Sequence, residues 1–226
     1  MKIATWNIER LKHKKSLNEI IAVCEQVQAD ILVLTETDEQ ICPNYRYCFQ
    51  TPTPPDLKLP RYEEPLRYKP TEHRISIFTN YNCTRQHTTF DKYTSLCVEL
   101  ETDKGNLLVY GTIIGVLGNR HSSFEVDLKK QVDDYKRLSV GKSGLCICGD
   151  FNCSFADNYY FTKSGRNIIL QSFAENNIEL LTASRPLCID HIAISKQFVL
   201  GCDIHIAEWN TEKTLSDHKG IAVEFV

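Results

Sequence analysis

The sequence lacks any long hydrophobic run. Nowhere do 18 apolar residues follow one another, so no segment predicts a membrane-spanning helix. Internal repeats, low-complexity tracts and a linker between domains are also missing. With 42% hydrophobic and 24% charged residues, the composition argues against disorder, collagen and coiled coil. The chain of 226 residues is therefore expected to form one globular domain over 1–226, long enough to bury a core without disulfides or a structural metal.

An excess of positive charge is missing too. Lys and Arg number 26 against 29 Asp and Glu, a net charge of -3, whereas a dedicated nucleic-acid binder is usually basic. Any contact with nucleic acid must therefore be local. Between Lys58 and Lys92 seven basic and four acidic residues give a balance of +3, with Arg61, Tyr62, Arg67 and Tyr68 among them. This segment indicates either a solvated loop or a local attractor for an anionic, single-stranded or small substrate.

Cysteine motifs are missing, although the chain has ten cysteines. No C-x-x-C and no zinc-finger spacing occurs. Cys97, Cys146, Cys148 and Cys188 lie in short apolar runs and are predicted to be small buried hydrophobes. The first ten residues contain no long apolar stretch before Glu9, so we expect no signal peptide. A reducing cytoplasm is the expected compartment, with no membrane and no obligate protein partner.

Hydrophobic patterns predict about eleven strands and three helices. The strands are IATWNI (3–8), ADILVLTE (29–36), YRYCFQ (45–50), RISIFTN (74–80), TSLCVELE (94–101), NLLVYGT (106–112), GLCICGD (144–150), IELLTA, CIDHIAIS, CDIHIAEW and KGIAVEFV. Helices are expected after the capping box Ser16-x-x-Glu19, over 123–139 and over 165–176. Seven of the eight prolines lie between Pro43 and Pro70, which predicts a long surface loop over 51–72. Helices follow strands too rarely for a doubly wound fold, so two packed mixed sheets with outer helices are favoured.

Five acids stand at the ends of apolar strands, with polar partners beside them. The acids are Glu9, Glu36, Asp150, Asp190 and Asp217, and the partners are Asn7, Asn152 and His218. Strand ends of an α/β protein line a common edge where ligands bind. Several carboxylates gathered there need a positive charge, and an oxygen-rich set favours Mg²⁺ or Mn²⁺ over zinc. Each residue alone has a simpler alternative as a turn former, an exposed strand end or a surface histidine; their joint order is the informative feature.

Five motifs give the sequence a family resemblance. They are T-W-N-I-E (5–9), L-T-E-T-D (34–38), G-D-F-N (149–152), I-D-H-I (189–192) and S-D-H-K-G (216–220). In this order they resemble the endonuclease/exonuclease/phosphatase superfamily of metal-dependent, DNase I-like phosphoesterases, over nearly the whole chain. The resemblance implies a four-layer α/β sandwich, two packed mixed β-sheets flanked by helices, with a catalytic pocket at one edge.

The resemblance also implies a role for each matching residue. Asn7, Glu36 and Asp217 would surround a Mg²⁺ or Mn²⁺ ion, with Glu9 nearby. Asp150 would activate the attacking water, Asn152 would steady it, and His218 would contact the scissile phosphate with Asp190 behind it. Many family members carry a Tyr or His late in the central strand, where this chain has Thr112, and Tyr110 lies two residues before it. Thr112 is therefore expected to contact substrate. Arg120, just before the predicted helix over 123–139, is expected to contact phosphate or, alternatively, to be a solvent-exposed residue at the start of that helix.

These features predict a divalent-metal-dependent phosphoesterase that hydrolyses phosphodiester bonds, nuclease action included, through an Asp-activated water. Two alternatives stay open. One is a phosphatase or phosphodiesterase of a small molecule such as a nucleotide or an inositol phosphate. The other is a catalytically inactive phosphate-binding relative, for which Thr112 is the only support. The expected partner is a phosphoester substrate, with nucleic acid as one class.

Overall fold

A computed structural model describes residues 1–58, 64–141 and 143–226, and twelve strands lie in these ranges. The strands are β1 (Lys2–Asn7), β2 (Ile31–Asp38), β3 (Tyr47–Gln50), β4 (Glu72–Thr79), β5 (Asn82–His87), β6 (Ser95–Thr102), β7 (Gly105–Ile113), β8 (Gly144–Asp150), β9 (Ile178–Leu180), β10 (Asp190–Ser195), β11 (Ile204–Trp209) and β12 (Gly220–Phe225). They form two six-stranded sheets, in the orders β11-β12-β1-β2-β4-β3 and β5-β6-β7-β8-β10-β9. Each sheet has one parallel pair, β1 with β2 and β7 with β8, so both are mixed as predicted.

Three helices cover the outer faces of the sheets. They are α1 (Leu17–Gln26), α2 (Phe124–Leu138) and α3 (Lys163–Glu175). In β2, Ile31 and Val33 belong to the core between the sheets, whereas Leu32 and Leu34 pack in a second core with Ile20 of α1. Alternate side chains of one strand thus fill two cores, which explains its uninterrupted apolar run. A third core joins the second sheet to α2 and α3, completing the predicted four-layer sandwich.

The predicted elements match the structure closely, with two local differences. Strand β5, of sequence NCTRQH, was not predicted, because its side chains are mostly exposed and show no apolar alternation. Helix α1 begins where the capping box predicts, but the Ser16 side chain makes no capping hydrogen bond. The four cysteines expected in the core are buried, and all ten cysteines are free thiols.

The proline-rich segment is a loop wherever the structure describes it. Over 51–58 and 64–71 it contains a single isolated bridge, between Leu57 and Leu66. Arg61 and Tyr62, which the sequence suggested as substrate contacts, lie outside the described residues. Tyr68 is described, and its ring lies beneath the guanidinium groups of Arg10 and Arg74, at 4.4 and 5.2 Å. Nowhere in the described ranges is a helix long and apolar enough to cross a membrane.

One edge of the sandwich collects the acidic strand ends. Asn7 ends β1, Asp150 ends β8, and Asp190 begins the antiparallel strand β10. Asp217 and His218 stand just before β12, which pairs with β1. Because the two sheets face each other across one core, these ends converge on a single site.

Candidate active site

Asp150 lies at the centre of the site, at the end of β8. The preceding Gly149 has φ 137°, and a Cβ there would lie 2.1 Å from the carbonyl oxygen of Thr112, so only glycine allows this approach. The Asp150 carboxylate accepts hydrogen bonds from Asn7 Nδ2 at 3.2 Å and from the backbone N–H of Asn152 at 2.8 Å. These donors fix the orientation of the carboxylate.

Electrostatics prepare Asp150 to exchange a proton. Burial raises the pKa of Asp150 to about 7, and the neighbouring Asp190 adds to this rise, while the positive charge of His218 opposes it. A carboxyl group with a pKa near neutrality can act as a general base at physiological pH.

Half-buried His218 and buried Asp190 form a pair beside Asp150. His218 Nδ1 donates to Asp190 Oδ2 at 2.6 Å, and Asp190 itself lies directly opposite Asp150 in the β8–β10 ladder. Burial alone would lower the His218 pKa, but the attraction of Asp190 outweighs it and raises the pKa to about 10. The imidazole is therefore a cation at neutral pH, facing the place where Asp150 would direct a nucleophile.

Glu36 lies on the other side of Asn7, in the strand paired with β1. Its backbone is left-handed, with φ 49°, and the ladder pairs Thr35 and Thr37 on either side of it. No group among the described residues donates a hydrogen bond to its carboxylate. Burial raises the Glu36 pKa although His218 and Arg10 oppose the rise, so the carboxylate stands half-buried without sufficient compensation. Such an oxygen donor fits a divalent cation.

Glu9 and Asp217 form the rim of the site. Glu9 is held by Lys12 Nζ at 2.5 Å and accepts the backbone N–H of Asp217 at 3.1 Å. Burial acts to raise the Glu9 pKa, but these hydrogen bonds outweigh it and lower the pKa. The Asp217 side chain is 63% exposed and lies 3.6 Å from His218 Nε2. Glu9 is thus already neutralised by protein cations, whereas Asp217 keeps its oxygens accessible.

Two aspartates and a histidine form a second, compact group of potential metal ligands. Single donor atoms of Asp150, Asp190 and His218 lie within 4.8 Å of one another. In this group His218 uses Nδ1 for its hydrogen bond to Asp190, so only Nε2 is left for another contact. The sequence predicts proton transfer and phosphate contact for this group, and it predicts Glu36 and Asn7 as oxygen donors of the kind that Mg²⁺ and Mn²⁺ prefer.

Comparison with known proteins assigns the family. The sequence model of the Endonuclease/Exonuclease/phosphatase family matches residues 4–218. The chain belongs to this family. Its members are hydrolases of phosphoric esters, typically dependent on a divalent metal. No curated protein sequence matches the chain significantly.

Solved structures of similar fold include several nucleic-acid enzymes. The 3′ phosphatase NExo from Neisseria, bound to a product DNA hairpin, is 16% identical with a TM-score of 0.71, covering 100% of this chain and 99% of that chain. An AP endonuclease from Archaeoglobus fulgidus is 13% identical with a TM-score of 0.64, covering 100% and 99%. The endonuclease domain of TRAS1, a telomere-specific retrotransposon, is 14% identical with a TM-score of 0.67, covering 99% and 97%. At these identities the likeness establishes the fold.

One residue predicted to contact substrate faces away from the site of this family member. Thr112 is fully buried, and its hydroxyl donates to Gln131 Oε1 of α2 at 2.6 Å, so its side chain faces the helix layer. Tyr110, on the same face of β7, is likewise buried against α2, where its hydroxyl donates to Asp134. Arg120 is exposed in the turn before α2, and its contact with substrate stays a prediction. The expectation for Thr112 is therefore corrected, because strand alternation directs it away from the pocket.

The structure adds residues that the sequence did not indicate. Asn119 is buried and donates from Nδ2 to the carbonyl oxygen of Asn152 at 2.8 Å, while its Oδ1 has no partner among the described residues. A pocket of about 250 Å³ opens beside Asp190 and His218, with Tyr159, Leu187 and Lys213 in its wall. These residues lie in loops without a recognisable motif, so no sequence signal marked them.

Proposed function

We propose that this protein is a divalent-metal-dependent phosphodiesterase that acts on nucleic-acid-like substrates by direct attack of a water molecule. The observation that carries the proposal is the convergence of Asp150 with the Asp190–His218 pair at one sheet edge, together with the half-buried carboxylate of Glu36. A general base, a fixed cation and an oxygen-donor site are the parts that phosphoester hydrolysis requires.

Asp150 acts as the general base. Asn7 and the N–H of Asn152 hold its carboxylate in place, and one carboxylate oxygen takes a proton from the attacking water. Asn152 is itself fixed, because its Nδ2 donates to the carbonyl oxygen of Ile114 at 3.0 Å. Its position beside Asp150 suits the orientation of that water or of a phosphate oxygen.

His218 supplies positive charge to the phosphoryl group. Asp190 occupies Nδ1, so Nε2–H remains to donate to a phosphate oxygen. A cation fixed before the reaction stabilises the negative charge that develops during attack without reorganising. Asp190 positions the ring and need not contact the substrate.

The metal would be held by Glu36 and Asn7, with Asp217 at the rim and Glu9 behind it. When bound, Mg²⁺ or Mn²⁺ supplies electrophilic stabilisation of the phosphoryl oxygens and the leaving group. The donor chemistry supports this assignment, since Glu36 is a half-buried carboxylate to which no described residue donates a hydrogen bond.

Nucleic acid is the favoured substrate class because structurally similar enzymes act on DNA, NExo being bound to a DNA hairpin. The net charge of -3 favours short or single-stranded substrates over long duplexes, which need many phosphate contacts. The same charge supports a second candidate function, hydrolysis of a small phosphorylated molecule. The remaining alternative, an inactive phosphate-binding relative, rests on Thr112 alone and is tested by whether any substrate is hydrolysed.

A substrate panel tests the proposal. Purified protein is incubated with single-stranded, duplex and abasic DNA, RNA, nucleotides and inositol phosphates, in Mg²⁺, in Mn²⁺ and in EDTA. We expect metal-dependent hydrolysis of at least one phosphodiester, abolished by EDTA. Hydrolysis of the small molecules alone would establish the second candidate, and no hydrolysis in either metal would contradict both.

A further inference from the structure

The backbone carbonyl oxygen of His218 accepts hydrogen bonds from two side chains. Asn210 Nδ2 donates to it at 2.6 Å, and Trp6 Nε1 donates to it at 3.1 Å. Both lone pairs of this carbonyl oxygen are thus occupied, which fixes the backbone that carries the imidazole. Trp6 is buried in β1, whereas Asn210 lies in the loop after β11 and belongs to none of the five sequence motifs.

The amide of Asn210 also holds the loop that leads to His218. Its Oδ1 accepts the backbone N–H of Leu215 at 3.0 Å, and its Nδ2 donates to the carbonyl oxygen of Ser216 at 2.9 Å. An asparagine amide offers two N–H donors and an acceptor oxygen, and this one uses all of them within a single loop, 211–219. The side chain therefore fixes the shape of the loop as well as the carbonyl of His218.

The same loop is connected to the end of β1. Ser216 Oγ donates to the carbonyl oxygen of Asn7 at 2.6 Å and accepts the backbone N–H of His218 at 3.2 Å. Asn7 in turn donates to the carboxylate of Asp150. A shift of the loop would displace His218 relative to Asp150, and groups that act together on one substrate lose rate when they are misplaced by about 1 Å.

The backbone at Asn210 is itself well fixed. Its φ is 50°, in the left-handed region that asparagine enters more readily than most residues. The ring of the preceding Trp209 lies across Gly220 of β12, where a Cβ would be only 1.9 Å from Cε2 of the indole. The amide is therefore anchored to the strand that follows the His218 loop.

We infer that Asn210 is a positioning residue that holds His218 toward the substrate through the His218 carbonyl oxygen. The inference rests on the proposed function, in which His218 is the fixed cation at the phosphoryl group. Aspartate has nearly the same shape as asparagine but no N–H donor. In Asn210→Asp a carboxylate oxygen would face the carbonyl oxygens of Ser216 and His218, whereas a residue that merely filled space would accept this replacement.

Two substitutions separate the amide from the backbone conformation. Asn210→Gly removes the amide and still allows the left-handed backbone, and Asn210→Asp keeps the shape and loses the donors. The matched control is Asn177→Gly, because Asn177 has φ 53° and is exposed. Asn177 directly precedes β9, which pairs with the end of β10 that lies away from Asp190.

Two measurements follow each variant. The first is kcat and KM on the best substrate of the panel in Mg²⁺, for the wild type and for His218→Gln, each with and without the substitution at position 210. The second is hydrogen exchange of the backbone amides of Leu215 and His218, which needs no catalytic activity.

The expected result is a loss of kcat that depends on His218. Asn210→Gly lowers kcat roughly 10- to 100-fold with little change in KM, since a misplaced cation weakens the transition state more than substrate binding. Asn210→Asp lowers kcat at least as much. In the His218→Gln background neither substitution lowers the residual kcat further, because Asn210 acts through His218. Exchange of the Leu215 and His218 amides is faster in Asn210→Gly, and Asn177→Gly behaves as the wild type does.

Three results would count against these expectations. Wild-type kcat in Asn210→Gly, or unchanged amide exchange, would overturn the positioning role. Equal losses of kcat in the wild-type and His218→Gln backgrounds would also overturn it, since they would indicate a general effect on the fold. If the wild type hydrolyses no member of the panel, the proposed function fails, and the exchange measurement still decides separately whether Asn210 holds the loop.

Discussion

Asp190 and His218 are 28 residues apart in sequence and 2.6 Å apart in space. Their side chains are ordinary in isolation, and strand-end position together with motif order suggested that they meet. The directions in which side chains point were harder to predict from the sequence. The family resemblance predicts Thr112 near the substrate, whereas strand alternation directs it to Gln131. Asn119 and Tyr159 lie in loops, where periodicity says nothing about direction.

Glu36 provides the sharpest residue-level test of the metal site. Glu36→Gln removes a carboxylate that burial already disfavours, so the fold should hold while Mn²⁺ affinity falls roughly 10- to 100-fold or more. Isothermal titration calorimetry measures this, with Glu101→Gln, an exposed residue of β6, as the matched control. Unchanged Mn²⁺ affinity in Glu36→Gln would remove Glu36 from the metal site.

His191 predicts an acid-sensitive stability. Burial lowers the pKa of His191 to about 4, below the ordinary value of 6.5, so the unfolded chain binds the proton first as pH falls. Stability from the neutral ring is complete above about pH 6.5 and is lost towards pH 4, by up to ~1.4 kcal/mol per pH unit. The free energy of unfolding, measured with urea across this pH range, should depend less steeply on pH in His191→Gln than in the wild type. The exposed control His205→Gln should show the same pH dependence as the wild type. The same pH dependence of the unfolding free energy in His191→Gln and in the wild type would contradict the lowered pKa of His191.

At the scale of the elements, buried strands were the most predictable part of the fold. The runs in β2 and β8 are apolar because both faces of each strand are covered, and helix α2 shows helical spacing of Phe124, Leu128 and Tyr135. Strand β5 lies at a sheet edge with exposed side chains, so pairing with β6 rather than its own pattern makes it a strand. The side chain of Ser16 makes no capping hydrogen bond, because such a bond depends on local dihedral angles that the motif alone does not determine.

The proline-rich loop is expected to affect substrate specificity and to leave metal binding unchanged. Leu57 and Leu66 exchange backbone hydrogen bonds of 2.9 and 2.8 Å, so 58–65 can be replaced by an Asn-Gly hairpin turn. We expect this deletion to change KM or substrate preference and to leave Mn²⁺ affinity intact, because Glu36 and Asn7 lie on strands. A Gly-Ser replacement of equal length separates chain length from side-chain contacts. Loss of Mn²⁺ affinity in the deletion variant would place the loop within the metal site.

At the scale of the whole molecule, the sandwich brings five distant motifs to one edge. The family match over 4–218 and the shared core between the sheets support our proposal of one domain over 1–226. All ten cysteines are free thiols, and the cytoplasmic location stays a prediction from the sequence. Substrate class was beyond reach of the sequence, because it depends on pocket walls formed by loops. The phosphoesterase family could be predicted from the sequence, because its motifs lie at strand ends.

The central claim is that Asp150 activates water at a metal-dependent site. Its most direct test is kcat for Asp150→Asn on the best substrate of the panel in Mg²⁺, beside the exposed control Asp133→Asn of α2. The amide is nearly isosteric but cannot accept a proton. We predict a fall in kcat of about 10²–10⁴ with an unchanged melting temperature, and wild-type kcat in the control. An Asp150→Asn enzyme that retains the wild-type kcat would contradict the account.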